Sequence, residues 1–184
     1  MENGSGKHII LIGPPGGGKT LCGEALAKLI GFSFYDTDRL IESQQGCSIS
    51  TIFKRQGEAS FRKMESAVLS RLIALGQHEK LVVAVGAGLP VYNRNLDKLK
   101  ELGIVVALSA ALDVLVKRVK LSQNRPLLFL PDDTVEGELQ RRLGELIEQR
   151  APVYAQAGYK IDTSNLEPDE VASKIVRLMN SQRL

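Results

Sequence analysis

Gly13-Pro14-Pro15-Gly16-Gly17-Gly18-Lys19-Thr20 meets the pattern G-x-x-x-x-G-K-[ST] at every fixed position. The apolar run His8-Ile9-Ile10-Leu11-Ile12 precedes it, and the helix-like segment 21–30 follows. A glycine-rich turn joining strand to helix needs one or two glycines and has no use for Lys-Thr at that spacing. A phosphate-binding loop needs all of them. Its backbone N–H groups turn inward over a helix N-terminus, surrounding a phosphate with fixed partial positive charge. In this reading the amides of Gly16, Gly17 and Gly18 cradle the phosphates, Lys19 reaches the β- and γ-phosphates, and the Thr20 hydroxyl ligates Mg²⁺.

Alternation continues outward from the loop. A short aromatic strand, Phe32-Ser33-Phe34-Tyr35, ends at Asp36-Thr37-Asp38, with helical patterning at Leu40-Ile41 and over 49–53. Gly57-Glu58 opens a long helix through Leu75, with Phe61, Met64, Val68, Leu69, Leu72 and Ile73 at helical spacing. Leu81-Val82-Val83-Ala84-Val85 is continuously apolar, as a strand buried on both faces of a parallel sheet must be, and it stops at Gly86-Ala87-Gly88. A helix near 93–102, a strand over 104–108, a helix over 111–120, a loop over 122–133, a helix over 134–149, a strand over 159–161 and a helix from Pro168 complete the pattern. The expectation is a three-layer α/β sandwich with a five-stranded parallel sheet, folded as a single domain over 1–184. Ligands of such sheets bind outside the carboxyl ends of the strands, where the phosphate loop, the two aspartates and 86–88 all fall.

The whole-chain numbers narrow the setting. The 184 residues are 43% hydrophobic and 24% charged, with 24 Lys and Arg against 21 Asp and Glu. That balance is ordinary for a globular chain and provides no basic stripe for nucleic acid. Two cysteines, Cys22 and Cys47, make no disulfide framework or zinc cluster, so a reducing compartment is expected. No apolar run approaches the ~20 residues that span a bilayer, and the first seven residues lack an apolar core. A cytoplasmic monomer is the expectation, with no membrane and no nucleic-acid partner.

Several side chains gain meaning near a phosphate site. Asp36 and Asp38, two apart at a strand end, can project together; one reading makes them a metal-and-base pair, another makes either the N-cap of the helix that follows. The strand over 81–85 ends without an acid, so Asp36 is the nearest source of a carboxylate for the metal. Arg62 and Glu65 are helix neighbours. They form either an exposed ion pair or an arginine held for bidentate contact with a substrate carboxylate. Arg125, in the loop with Pro126-Leu127-Leu128, suits a lid that closes over nucleotide or an ordinary surface arginine. Arg150 before Ala151-Pro152 ends the long helix, where a cation complements the helix dipole.

Together and in this order, 13–20, Asp36-Thr37-Asp38, Gly57-Glu58 with Phe61-Arg62 and Glu65, Gly86-Ala87-Gly88, Arg125-Pro126-Leu127-Leu128 and Arg150-Ala151-Pro152-Val153-Tyr154 closely resemble shikimate kinase over about residues 8–180. The resemblance implies transfer of the ATP γ-phosphoryl group to the 3-hydroxyl of shikimate, on the way to chorismate and the aromatic amino acids. It implies ATP and shikimate as small-molecule substrates, Mg²⁺ as cofactor, a lid at about 119–135 and a substrate-binding helical segment at about 36–66. By similarity Lys19 and Thr20 serve the phosphates and Mg²⁺, Asp36 acts on the metal through water, and Asp38 binds the reacting hydroxyl as base. Arg62 and Arg150 hold the shikimate carboxylate with Gly86, Ala87 and Gly88 nearby, Glu65 fixes Arg62, Arg125 contacts the phosphates, and Arg118 lines the adenine pocket.

The family has three consecutive glycines where this chain has Gly86-Ala87-Gly88, followed by Leu89-Pro90. A negative φ at Ala87 leaves its backbone donor intact; a positive φ would cost ~1–2 kcal/mol and shift the pocket. The alternatives are a kinase of another polyhydroxy acid such as gluconate, and a homologue that binds nucleotide without turnover.

Overall fold

The computed structural model describes residues 8–121 and 136–181. Strand β1 (His8–Ile12) leads through the glycine loop into α1 (Lys19–Ile30). Next come β2 (Ser33–Asp36), α2 (Thr37–Gln45), α3 (Ile49–Leu75), β3 (Leu81–Ala84), a 3₁₀ turn (Leu89–Val91), α4 (Asn95–Leu102), β4 (Gly103–Ser109) and α5 (Leu112–Leu121). The elements α6 (Glu136–Tyr154), β5 (Tyr159–Asp162) and α7 (Pro168–Asn180) complete the described chain.

The five strands form one parallel sheet in the order β2-β3-β1-β4-β5. Position in that order explains composition. Central β1 is flanked on both sides and covered on both faces, so Ile9 to Ile12 are wholly buried. Edge strand β5 instead reads Tyr-Lys-Ile-Asp, with only Ile161 buried. Alternate side chains of the inner strands feed two cores. Ile10, Ile12 and Val83 pack with Phe61, Leu69 and Leu99 on one face, while Ile9, Leu11 and Val82 pack with Leu26, Val171 and Ile175 on the other. The three layers expected from the alternation are present.

As expected, a helical run through Leu75 opens after Gly57, whose φ of 74° and ψ of 172°, a backbone open to glycine, break α3 into two runs. Three boundaries differ from the sequence expectation. Helix α4 starts at Asn95, because Asn93 and Arg94 take left-handed φ values of 50° and 55°. Strand β4 is longer than expected, since Gly103 pairs with His8. Helix α6 continues through Pro152 to Tyr154. Proline removes the N–H that would meet the Glu148 carbonyl, but Glu148 is exposed and water can serve it. Arg150 therefore lies within the helix and is 8% exposed, which overturns its reading as a helix-terminal cation.

Parallel register sets the site. Asp36 pairs with Ala84, so the chain leaving β2 and the chain leaving β3 emerge side by side. There the fully buried Thr37 accepts a hydrogen bond from the Gly86 N–H through Oγ1 at 2.8 Å. Thr37→Val keeps the shape and strands that buried donor, so a urea titration should show a loss of about 1–3 kcal/mol; unchanged stability would mean the Gly86 amide is satisfied in another way.

Candidate active site

Segments that follow β1, β2, β3 and β5 line a cleft of about 750 Å³ whose lining includes Gly16, Lys19, Asp36, Glu65, Ala87 and Arg118. At its floor Gly13, Gly16 and Gly18 take φ values of 140°, 78° and 87°. At Gly13 a Cβ would lie 2.1 Å from the Leu108 carbonyl oxygen, so the loop has room for backbone only. Gly18 is the N-cap of α1 and supplies no side-chain capping bond, leaving the first-turn N–H groups available to an anion. Lys19 Nζ donates to the carbonyls of Gly13 and Pro14, each at 2.9 Å, folded along the same loop.

Asp36 is the N-cap of α2, and its two oxygens face different partners. Oδ1 caps α2, accepting from the Asp38 N–H at 2.9 Å and the Arg39 N–H at 3.2 Å. Oδ2 accepts from the Thr20 hydroxyl at 2.7 Å. A hydroxyl and a carboxylate at the mouth of a phosphate loop are the hard oxygen donors that Mg²⁺ takes, alongside waters and phosphate oxygens. Among the described residues no cluster of three His, Cys, Asp or Glu could hold a metal ion.

Across the cleft lies a buried charged cluster. Arg62 Nη1 donates to Glu65 Oε2 at 2.7 Å, and the two residues are 6% and 1% exposed, so this is no surface ion pair. Burial, with the Asp38 carboxylate alongside, pushes the Glu65 carboxyl up to about 7 against the pull of Arg62 and Arg150. The arginine's own pKa is raised by Glu65 and Glu58 against the effect of burial.

The turn over 86–88 is shaped by these side chains. A Cβ at Gly86 would sit 2.4 Å from Asp38 Oδ1 and 3.2 Å from Glu65 Oε1; one at Gly88 would sit 2.5 Å from Arg62 Nη1. Volume, not unusual backbone, demands these two glycines: neither has a positive φ. Ala87 also avoids positive φ, so its side chain carries no backbone strain and its N–H remains a donor. The Gly86 N–H is committed to Thr37, so Gly86 contributes space rather than a donor.

Two connecting residues were not singled out in the sequence. The Tyr154 hydroxyl, within the electrostatic reach of Arg150, donates to the Ala87 carbonyl at 2.8 Å, tying α6 to the turn. Buried Thr163 follows β5; its hydroxyl lies 3.3 Å from the Gly17 carbonyl and 3.0 Å from that of Ser109. Arg118 donates to the Thr163 hydroxyl at 3.0 Å, the Thr163 carbonyl at 2.8 Å and, at the limit, the Gly16 carbonyl at 3.4 Å. It thus braces the phosphate loop beside the part of the cleft lined by Leu166 and Pro168. Periodicity could not have flagged a lone threonine after an edge strand. The expected lid beyond Leu121, with Arg125, lies outside the described residues.

Within the described residues the structure brings Lys19, Thr20, Asp36, Asp38, Gly86 and Ala87 around one cleft together with Glu65, whereas Gly88 and the buried Arg62 and Arg150 are not among its lining. The family described as shikimate kinase matches residues 15–180. A shikimate kinase of Thermodesulfovibrio yellowstonii is 37% identical over 93% of this chain and 94% of its own. The structure of shikimate kinase from Acinetobacter baumannii in complex with shikimate superposes with a TM-score of 0.88 at 35% identity, covering 98% of this chain and 96% of that one. A gluconokinase from Sinorhizobium meliloti, at 21% identity and a TM-score of 0.55, shares the fold alone. The family match over residues 15–180 and identities above 30% along nearly the full length of both chains show that the chain belongs to the shikimate kinase family.

Proposed function

We propose that this chain transfers the γ-phosphoryl group of ATP to the 3-hydroxyl of shikimate, giving shikimate 3-phosphate and ADP. The observation that carries the acid half of this reading is Arg150: its Nη1 is buried and has no hydrogen-bond partner among the described residues. A buried guanidinium nitrogen in that state is costly unless an anion arrives to meet it. It belongs to the same charged cluster as Arg62 and Glu65, and Tyr154, within its electrostatic reach, is bonded to the 86–88 turn. Two guanidinium groups then hold a carboxylate, and Asp38 stands beside Gly86 for the hydroxyl.

Arg62 and Arg150 anchor the acid, and the amides of Ala87 and Gly88 orient it within the segment at about 36–66. The loop amides of Gly16, Gly17 and Gly18, with Lys19, hold the β- and γ-phosphates, and Arg118 borders the base pocket. Asp38 accepts the proton as the hydroxyl oxygen bonds to the γ-phosphorus and the bond to the ADP oxygen breaks. Thr20 directly, and Asp36 through water, would hold Mg²⁺, which supplies neutralisation of charge between the β- and γ-phosphates. The lid at about 119–135, with Arg125, would add positive charge over the transferring group, and the whole works as one domain over 1–184. The proposed setting is a cytoplasmic monomer; no described helix is long and apolar enough to cross a membrane.

The reading is tested by ADP release with Mg²⁺ and ATP in the presence of shikimate, gluconate or no acceptor, with product mass determined. Turnover with shikimate is expected; ADP release that ignores it would overturn the assignment. Asp38→Asn should lower kcat by at least about a hundredfold while ATP binding persists. Near-normal turnover would remove Asp38 as the base. Arg150→Ala should raise the KM for shikimate by about ten- to a hundredfold, the loss expected of charge-assisted hydrogen bonds, and leave the KM for ATP nearly unchanged; equal rises would point to a general folding defect.

A pH effect follows from Glu65. As pH rises through about 7 its carboxyl loses a proton and places a negative charge beside the acid's carboxylate. The KM for shikimate should therefore rise between about pH 6 and 8, and Glu65→Gln should flatten that rise. An equally steep profile in the variant would assign the titration to another group.

A further inference from the structure

The proposed reaction needs the Arg62 guanidinium for the acid, yet one edge of it is already taken. Glu58 Oε1 accepts from Arg62 Nε at 3.1 Å and from Nη2 at 2.7 Å, while Glu65 takes Nη1 from the other side. The Nε and Nη2 groups form a fork suited to side-on, bidentate contact with an incoming carboxylate. The two glutamates differ sharply in surroundings. The Glu65 side chain is 1% exposed and that of Glu58 is 63% exposed. Glu58 also directly follows Gly57, the left-handed break in α3, beside which a Cβ would meet nothing within 4 Å. Glu65 is fixed in the protein; Glu58 has open solvent to move into.

Arg62 does not depend on Glu58 to keep its place. Its Cζ lies 5.6 Å from the centroid of the Phe61 ring and 6.0 Å from that of Tyr92, and the Glu65 bond is buried. Glu58 therefore adds charge compensation on one edge more than it adds position.

We propose that Glu58 is an internal stand-in for the substrate carboxylate. It occupies the Nε–Nη2 edge of Arg62 in the empty site and is displaced into solvent when the acid binds. This rests on the reading that Arg62 receives the acid's carboxylate. Two consequences follow. The empty enzyme never holds Arg62 as a cation compensated on one side only, which a buried site tolerates poorly. A polyol without a carboxylate cannot replace Glu58, so the exchange discriminates for acids over neutral molecules of similar shape.

Calorimetric titration of the full chain with shikimate, and separately with ADP, tests the exchange in the parent and in Glu58→Ala, Glu58→Gln and Arg62→Lys variants. Removing the competitor should tighten shikimate binding by about three- to tenfold in Glu58→Ala, the scale of one partly exposed charge pair, with a smaller gain in Glu58→Gln and unchanged ADP binding. A role confined to bracing Arg62 would have the opposite sign: weaker or unchanged shikimate binding in both variants overturns the stand-in. Should Glu58→Ala fail to fold by thermal melting, Glu58→Gln, which keeps the size and an acceptor oxygen, decides by the same sign. Arg62→Lys separates the inference from its premise. Unchanged shikimate binding in that variant removes Arg62 as the acid's anchor, whereas weakened binding there, with no gain in the Glu58 variants, removes the stand-in alone.

Discussion

The charged corner of the cleft depends on two positions where the chain can carry no side chain. Parallel pairing of β2 with β3 brings the residues after Asp36 against those after Ala84. In that confined space Asp38 and Glu65 close on Gly86, and Arg62 closes on Gly88. A single added carbon at either glycine would fall within 2.6 Å of a charged atom, at 2.4 Å from Asp38 Oδ1 or 2.5 Å from Arg62 Nη1. Sheet register thus dictates how near Asp38 and Arg62 can stand to the turn. Ala87 between the two glycines carries its side chain without strain because its backbone avoids positive φ.

Electrostatics then sorts the corner into two functions. Burial raises the energy of every charge there, so each has to find a compensating neighbour. Glu65 is compensated by Arg62, and Arg62 by Glu65 and Glu58, while Arg150 keeps a buried Nη1 with no hydrogen-bond partner among the described residues. The excess is cationic on the arginine side and anionic at Asp38. That polarity matches a molecule with a carboxylate at one end and a reacting hydroxyl at the other. An incompletely satisfied group in an otherwise well-paired cluster is a departure from local stability rules of the kind expected at binding sites.

The phosphate side follows a different physical logic. Its charge is supplied by backbone dipoles and an uncapped helix N-terminus rather than by buried ions, so glycines and strand-to-helix geometry suffice. Thr163 and Arg118 hold this loop from behind, joining it to the ends of β4 and β5. The site is rigid where it meets phosphate because three strand ends are bonded to one another there.

Local patterns in the chain were sufficient to determine the phosphate loop, the order of strands and helices, the parallel sheet and the placing of Asp36 and Asp38 at a strand end. Each of these is coded within a few neighbouring residues, by periodicity, a glycine spacing or a run of apolar side chains. What needed the folded chain were pairings between distant positions: Thr37 with Gly86, 49 residues apart, and Thr163 with Gly17, 146 apart. The fold also decided that Arg62 and Glu65 are a buried pair rather than a surface one, that α6 carries Arg150 inward past Pro152, and that one Asp36 oxygen caps a helix while the other faces Thr20. Burial and partner choice depend on which surfaces come together, and a linear spacing that is identical for an exposed and a buried pair contains no trace of that.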